Sequence, residues 1–225
     1  KDYALQNKKN FNAENAVIVA IDPKTGGIVT MVGSRDYFDT EIDGAYNVTT
    51  AKRQPGSTFK PFVYSQAFLK GYTPETVVFD VKTQFSTTCQ PDNLTIGNGC
   101  YAPENYDNLF RGPITLRSAL AQSLNIPSVK VLYLAGLSES IRLARDMGMT
   151  SLSNRGDYGL TLVLGGGEVT PLEITSAYGV FANNGVRTET TPVLEIKDKN
   201  GNLLEKHVPK QTTVLPNEIA IKISD

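Results

Sequence analysis

Ser57-Thr58-Phe59-Lys60 sets a hydroxyl and an amine three residues apart. At the start of a helix that spacing puts both on one face, so the lysine nitrogen can approach the serine oxygen. Together they supply a nucleophile and a base. A helix N-terminus adds backbone N–H groups and partial positive charge, suited to a developing oxyanion and to a neutral lysine. Lys60 then needs a lowered pKa, through burial or a neighbouring cation. The chain holds one histidine, His207, in the polar stretch Glu205-Lys206-His207-Val208-Pro209, which reads as a surface position. A histidine triad or a multi-histidine metal site would rest on that residue alone, so any hydrolytic or acyl-transfer chemistry here must use another base, and no metal site is expected.

Alone, the pattern carries little weight. With 13 serines and 14 lysines in 225 residues, about 0.8 Ser-x-x-Lys pairs arise by chance. Ser123-Leu124-Asn125 is no rarer: 16 asparagines give about 0.9 Ser-x-Asn matches. Its plain reading is a helix end before Ile126-Pro127.

The conjunction changes the odds. Ala51-Lys52-Arg53-Gln54-Pro55-Gly56-Ser57-Thr58-Phe59-Lys60-Pro61-Phe62 closely resembles the active-serine segment of class A penicillin-binding proteins. Glu104-Asn105-Tyr106-Asp107, Arg117-Ser118-Ala119-Leu120 and Ser123-Leu124-Asn125-Ile126-Pro127 follow in the family's order, as do Leu164-Gly165 through Glu173 and Ala177-Tyr178 through Gly185. The resemblance runs from about Ala16 to the last residue, and Ser-x-x-Lys with Ser-x-Asn are motifs of that superfamily.

The resemblance implies an α/β (α+β) fold of the penicillin-binding protein transpeptidase and β-lactamase type, an antiparallel sheet flanked by helices. It implies a D,D-transpeptidase that cross-links peptidoglycan stem peptides and is a target of β-lactams. Carried over, Ser57 attacks the penultimate D-alanine carbonyl, Lys60 is its base, and Ser123 relays a proton to the leaving D-alanine. Asn125 holds the donor peptide and orients Lys60, so Ser57, Ser123 and Asn125 also bind substrate. The Ser57 N–H gives half of the oxyanion hole. No cofactor is implied. The family places this domain on the outer face of the bacterial cytoplasmic membrane, with an anchor and a glycosyltransferase expected before Lys1.

One departure stands out. The family's third motif, Lys-Thr-Gly on a core strand, should follow the Ser-x-Asn helix. The Lys24-Thr25-Gly26 here precedes Ser57 and sits between strand-like runs, so it reads as a hairpin turn, as does Lys199-Asn200-Gly201. The expectation is a piece of a longer polypeptide, incomplete at the C-terminus, whose remainder is removed or carried as another chain. Losing an oxyanion donor costs about 100- to 1,000-fold, so the 225 residues alone are expected to be inactive. A serine β-lactamase or D,D-carboxypeptidase of the same fold is the enzymatic alternative, with Glu168 its candidate deacylating carboxylate. An inactive penicillin-binding-like scaffold or fragment is the non-enzymatic one.

The elements that must position these residues follow from periodicity. Residues 1–15 are a polar lead-in, and 16–225 the N-terminal part of one transpeptidase domain. A hairpin spans Ala16–Asp22 and Ile28–Gly33, and a helix runs from Ser57 to Lys70. Residues 74–113 are turn-rich. Helices are predicted over Thr115–Leu124, from Pro127 to Leu134, over Ser138–Met147 and over Pro171–Asn183. Val193–Lys197 and Leu203–Lys206 form a second hairpin across Asn200-Gly201, and a helix opens at Pro216.

Cys89 and Cys100 flank a turn-rich loop. A disulfide is the better reading, pointing to an oxidising compartment and contributing on the order of 3 kcal/mol, with two free thiols as the alternative. The net charge of −1 lacks the basic excess that phosphate backbones demand, which argues against nucleic acid. No stretch of roughly 20 apolar residues is present, which argues against a membrane span within the chain.

Overall fold

The structure is a computed structural model that describes residues 1–152 and 158–225. Over those residues the chain forms two compact units, one of 1–54, 144–152 and 168–225, the other of 55–143 and 158–167.

The first unit opens on helix α1 (Asp2–Phe11), which buries none of its residues. The expected lead-in is therefore helical. Asp2 in its first turn and Lys8 and Lys9 in its last suit the helix dipole. Strands β1 (Ile18–Ile21) and β2 (Ile28–Val32) pair antiparallel, Ile18 opposite Val32. Lys24-Thr25-Gly26 is the turn between them: the Asp22 carboxylate accepts from the Lys24 N–H at 2.9 Å and the Thr25 hydroxyl at 2.8 Å. His207, expected at the surface, is half-buried, its Nε2 3.0 Å from the Thr25 carbonyl.

Helix α6 (Pro171–Ala182) packs on β1. A capping box starts it: the Thr170 hydroxyl accepts from the Glu173 N–H, and the Glu173 carboxylate accepts from the Thr170 N–H. Glu168, just ahead, is exposed, and Val169 bridges Arg53 through the backbone. Beyond α6, β7 (Val186–Thr188) pairs with β10 (Gln211–Thr213), β8 (Glu195–Lys197) with β9 (Leu203–Lys206), and α7 (Asn217–Ser224) lies against α6.

The second unit holds the largest buried side chains of the site region. Helix α2 (Lys60–Leu69) packs on α4 (Asn125–Ala135), burying Phe62, Val63, Tyr64 and Ala67 against Ile126, Val129 and Leu132. Each buried Phe, Val, Ile or Leu side chain among them stabilises by roughly 1.5–3 kcal/mol relative to exposure. The turn-rich stretch contains two strands that the sequence hides, β3 (Val77–Asp80) and β6 (Gly112–Thr115), paired antiparallel. Pro113 and a left-handed Gly112 interrupt the strand pattern of β6. Between them lies a small lobe with β4 (Ile96–Gly97), β5 (Cys100–Tyr101) and a Cys89–Cys100 disulfide. Helices α3 (Leu116–Ala121) and α5 (Leu137–Asp146) are the remaining α-helices among the described residues. Among the described residues all five strand ladders are antiparallel and two-stranded.

Glu173 generates a pH-dependent prediction. Burial alone would push its carboxyl up, but hydrogen bonds from Ser151, Thr150 and Thr170 outweigh that and hold it below the usual glutamate range. A depressed carboxyl stabilises the fold above its unfolded value of about 4.3, and the gain is lost as pH falls through the folded value. In urea titrations Glu173→Gln should be less stable than the parent at pH 7, and the gap should narrow progressively as pH falls below about 4.3. A gap independent of pH would refute the assignment.

Candidate active site

The residues with chemistry converge at the start of α2 and the junction between α3 and α4. Ser57 does not lie in the α-helix predicted for it. Gly56–Phe59 forms a 3₁₀ turn, and α2 begins at Lys60. Residues three apart eclipse in a 3₁₀ turn, so Ser57 and Lys60 stay on one side. Gly56 enters the turn at φ +60. The 160–165 loop presses on it so closely that a side chain at Gly165 would sit 2.1 Å from the Gly56 nitrogen.

Lys60 is 1% exposed. Its Nζ donates to the Ser123 carbonyl at 2.6 Å, the Ser123 hydroxyl at 3.2 Å and Asn125 Oδ1 at 2.9 Å. Those three oxygens match the three donors of an ammonium, and none belongs to a carboxylate. Burial pushes the Lys60 pKa down to about 8. The neutral amine is thus within reach of ordinary pH.

Ser123 reaches Lys60 because the chain ends α3 abruptly. The Ser123 N–H donates to the Leu120 carbonyl at 2.9 Å and the Leu124 N–H to Ala119 at 3.0 Å, the double bond of a Schellman turn. Ser123 holds the left-handed position, φ +53, where glycine is usual. The position costs an L-residue about 1–2 kcal/mol. Asn125 lies in the first turn of α4, its Nδ2 donating to the Glu104 carbonyl at 2.8 Å and its Oδ1 left for Lys60.

Of the four residues predicted to act, the structure links Lys60, Ser123 and Asn125 directly. Ser57 stands one turn away, exposed, its hydroxyl without a hydrogen-bond partner among the described residues. Sequence reasoning assigned no role to Asn105, which bonds Asn125, or to Asp80, which bonds Asn105. Glu104-Asn105-Tyr106-Asp107 was legible only as a family word, and Asp80 gave no signal. No helix among the described residues is long and apolar enough to cross a membrane.

The family described as "Penicillin binding protein transpeptidase domain" matches residues 16–225. Penicillin-binding protein 1A of Neisseria meningitidis is 38% identical over 192 residues, 85% of this chain and 23% of the relative. Penicillin-binding protein 1A of Aquifex aeolicus is 38% identical over 200 residues, 88% of this chain and 26% of the relative. The chain therefore spans about a quarter of the length of these relatives. The crystal structure of penicillin-binding protein 1A from Haemophilus influenzae is similar with a TM-score of 0.79 at 26% identity, over 93% of this chain and 34% of that one. PonA1 from Mycobacterium tuberculosis in complex with penicillin V shares the fold at a TM-score of 0.74 and 20% identity, over 99% of this chain and 58% of that one.

The strained Ser123 yields a stability prediction. Ser123→Gly should leave the protein at least as stable as the parent, with a gain of about 1 kcal/mol in urea unfolding. A loss above 1 kcal/mol would mean that the hydroxyl contact to Lys60 outweighs the backbone strain.

Proposed function

The chain belongs to the penicillin-binding protein transpeptidase family, and from that premise we propose that it carries the serine machinery of a D,D-transpeptidase acting on peptidoglycan stem peptides. The carrying observation is the buried Lys60 amine held by Ser123 and Asn125, one turn from an exposed Ser57 hydroxyl.

Neutral Lys60 accepts the Ser57 proton as Ser57 Oγ bonds to the carbonyl carbon of the penultimate D-alanine. The oxyanion draws on the Ser57 N–H. As the tetrahedral adduct collapses, the C–N bond breaks and the leaving D-alanine nitrogen takes a proton from the Ser123 hydroxyl. The Lys60 ammonium replaces that proton through its 3.2 Å contact. An amine from a second stem peptide then bonds to the acyl carbon, the C–O bond to Ser57 breaks, and the amine proton passes through Ser123 and Lys60 back to Ser57 Oγ. Asn125 fixes Lys60 through Oδ1 and offers its amide to the donor peptide. β-Lactams are acylating partners at the same serine. The oxidised cysteine pair supports an extracytoplasmic location.

The whole protein's anchor, glycosyltransferase and third motif belong to the same proposal, since the relatives are longer. Residues 1–225 contain Lys-Thr-Gly only in the β1–β2 turn, so we expect this stretch by itself to be acylated poorly.

The test is labelling of the full-length protein with a fluorescent penicillin, followed by peptide mapping. Label should appear on Ser57 and vanish in Ser57→Ala. The acylation rate should rise with pH through about 8 and level off as Lys60 loses its proton. Label elsewhere, or a rate flat from pH 6 to 10, would overturn the mechanism. Rapid turnover of the adduct would favour a β-lactamase.

A further inference from the structure

Helix α4 begins without a cap of its own. Leu124 holds the cap position and its side chain accepts nothing. Pro127, in the first turn, has no N–H to satisfy. The orphan donors are therefore the N–H groups of Asn125 and Ile126. Both go to one atom from outside the helix: Asn105 Oδ1 accepts from Asn125 at 2.9 Å and from Ile126 at 3.4 Å.

The other side of the same carboxamide is equally committed. Asn105 Nδ2 donates to both carboxylate oxygens of Asp80, at 2.9 Å each, and to the Leu109 carbonyl at 2.8 Å. Asp80 is fully buried, and its Oδ2 also accepts from the Arg111 N–H at 2.9 Å. Among the described residues Asp80 makes no ion pair. The neighbouring Arg111 guanidinium is bound to Asp107, and Lys130 Nζ to the Phe79 carbonyl at 2.6 Å. A carboxylate only accepts, so Asp80 forces the Asn105 nitrogen toward itself and the oxygen toward α4.

Asn125 is consequently pinned at two points from one segment. Its N–H is taken by the Asn105 side chain and its Nδ2 by the carbonyl of Glu104, the preceding residue. What remains is Oδ1, aimed at Lys60 Nζ. An uncharged cap would complete α4 equally well. A buried carboxylate behind the cap costs desolvation, and what it adds is one fixed orientation of the amide.

We propose that Asp80 and Asn105 are positioning residues for the acyl transfer, Asp80 setting the Asn105 carboxamide and Asn105, with the Glu104 carbonyl, setting Asn125 against Lys60. This rests on the reading of Ser57 and Lys60 given above. Asp80 and Asn105 touch neither substrate nor the reacting atoms; they act through Asn125.

A double-mutant cycle in the full-length protein tests it, with the fluorescent-penicillin acylation rate recorded from pH 6 to 10. Asn105→Ala should slow acylation on the order of 100-fold, as misplacement of a catalytic group by about 1 Å does. The pH limb near 8 should move to lower pH, because the ammonium loses an acceptor. Added to Asn125→Ala, the same change should cost less than about 3-fold further, since its effect passes through Asn125. Asp80→Asn keeps the volume; the Arg111 N–H holds its oxygen at the Oδ2 place, so its amide nitrogen takes the Oδ1 place and turns one of the two Asn105 contacts into donor against donor. It should slow acylation at least 10-fold in the parent and little in Asn125→Ala. Where Asn105→Ala does not fold, the Asp80→Asn cycle decides by the same criterion. Parent rates in the single variants, or losses that multiply in the doubles, overturn the positioning role while Ser57 labelling stands. Absence of Ser57 labelling in the parent overturns the underlying reading, and this proposal with it.

Discussion

A lysine head group removed from water governs the site. At 1% exposure Lys60 has three oxygens around its nitrogen and no carboxylate among them. Burying an ammonium without a counter-charge is costly, and the protein meets the cost by making the proton easier to lose. A carboxylate beside Nζ would have stabilised the cation and left a poor base. Neutral acceptors hold the side chain in place while leaving its charge adjustable.

The surrounding structure serves that arrangement. The α2–α4 packing brings the first turn of one helix to the first turn of the other, and the abrupt end of α3 turns the Ser123 carbonyl and hydroxyl toward Lys60. A serine where glycine would be more comfortable is backbone strain kept in direct contact with Lys60. The 3₁₀ turn does the opposite work for Ser57, leaving its hydroxyl at the surface while its neighbour Phe59 is buried.

What could be read in the sequence divides along physical lines. Ser57 and Lys60 are close in the chain, so local spacing announces them, although periodicity could not separate a 3₁₀ turn from α-helix. Ser123 and Asn125 were recoverable through a family word, yet the plain reading, a helix end, was half right: α3 ends there and α4 starts at Asn125. The β3–β6 ladder was invisible, because Gly112 and Pro113 speak for a turn and the partner strand lies more than thirty residues earlier. Asp80 was hidden for the same reason. Its meaning comes from a residue 25 positions away, and no local pattern encodes such a meeting. The helix over Asp2–Phe11 has no apolar stripe to betray it, since it buries nothing.

The approach of the 160–165 loop to Gly56 has an evolutionary corollary. Gly165 is closed to every other amino acid twice over, by a left-handed φ of +88 and by backbone 2.1 Å from where a Cβ would sit. The turn bearing Ser57 thus rests on a neighbour with no allelic freedom. Any change in the shape of that turn would have to come from more distant positions, through small concerted displacements, and not from a substitution at this point of contact.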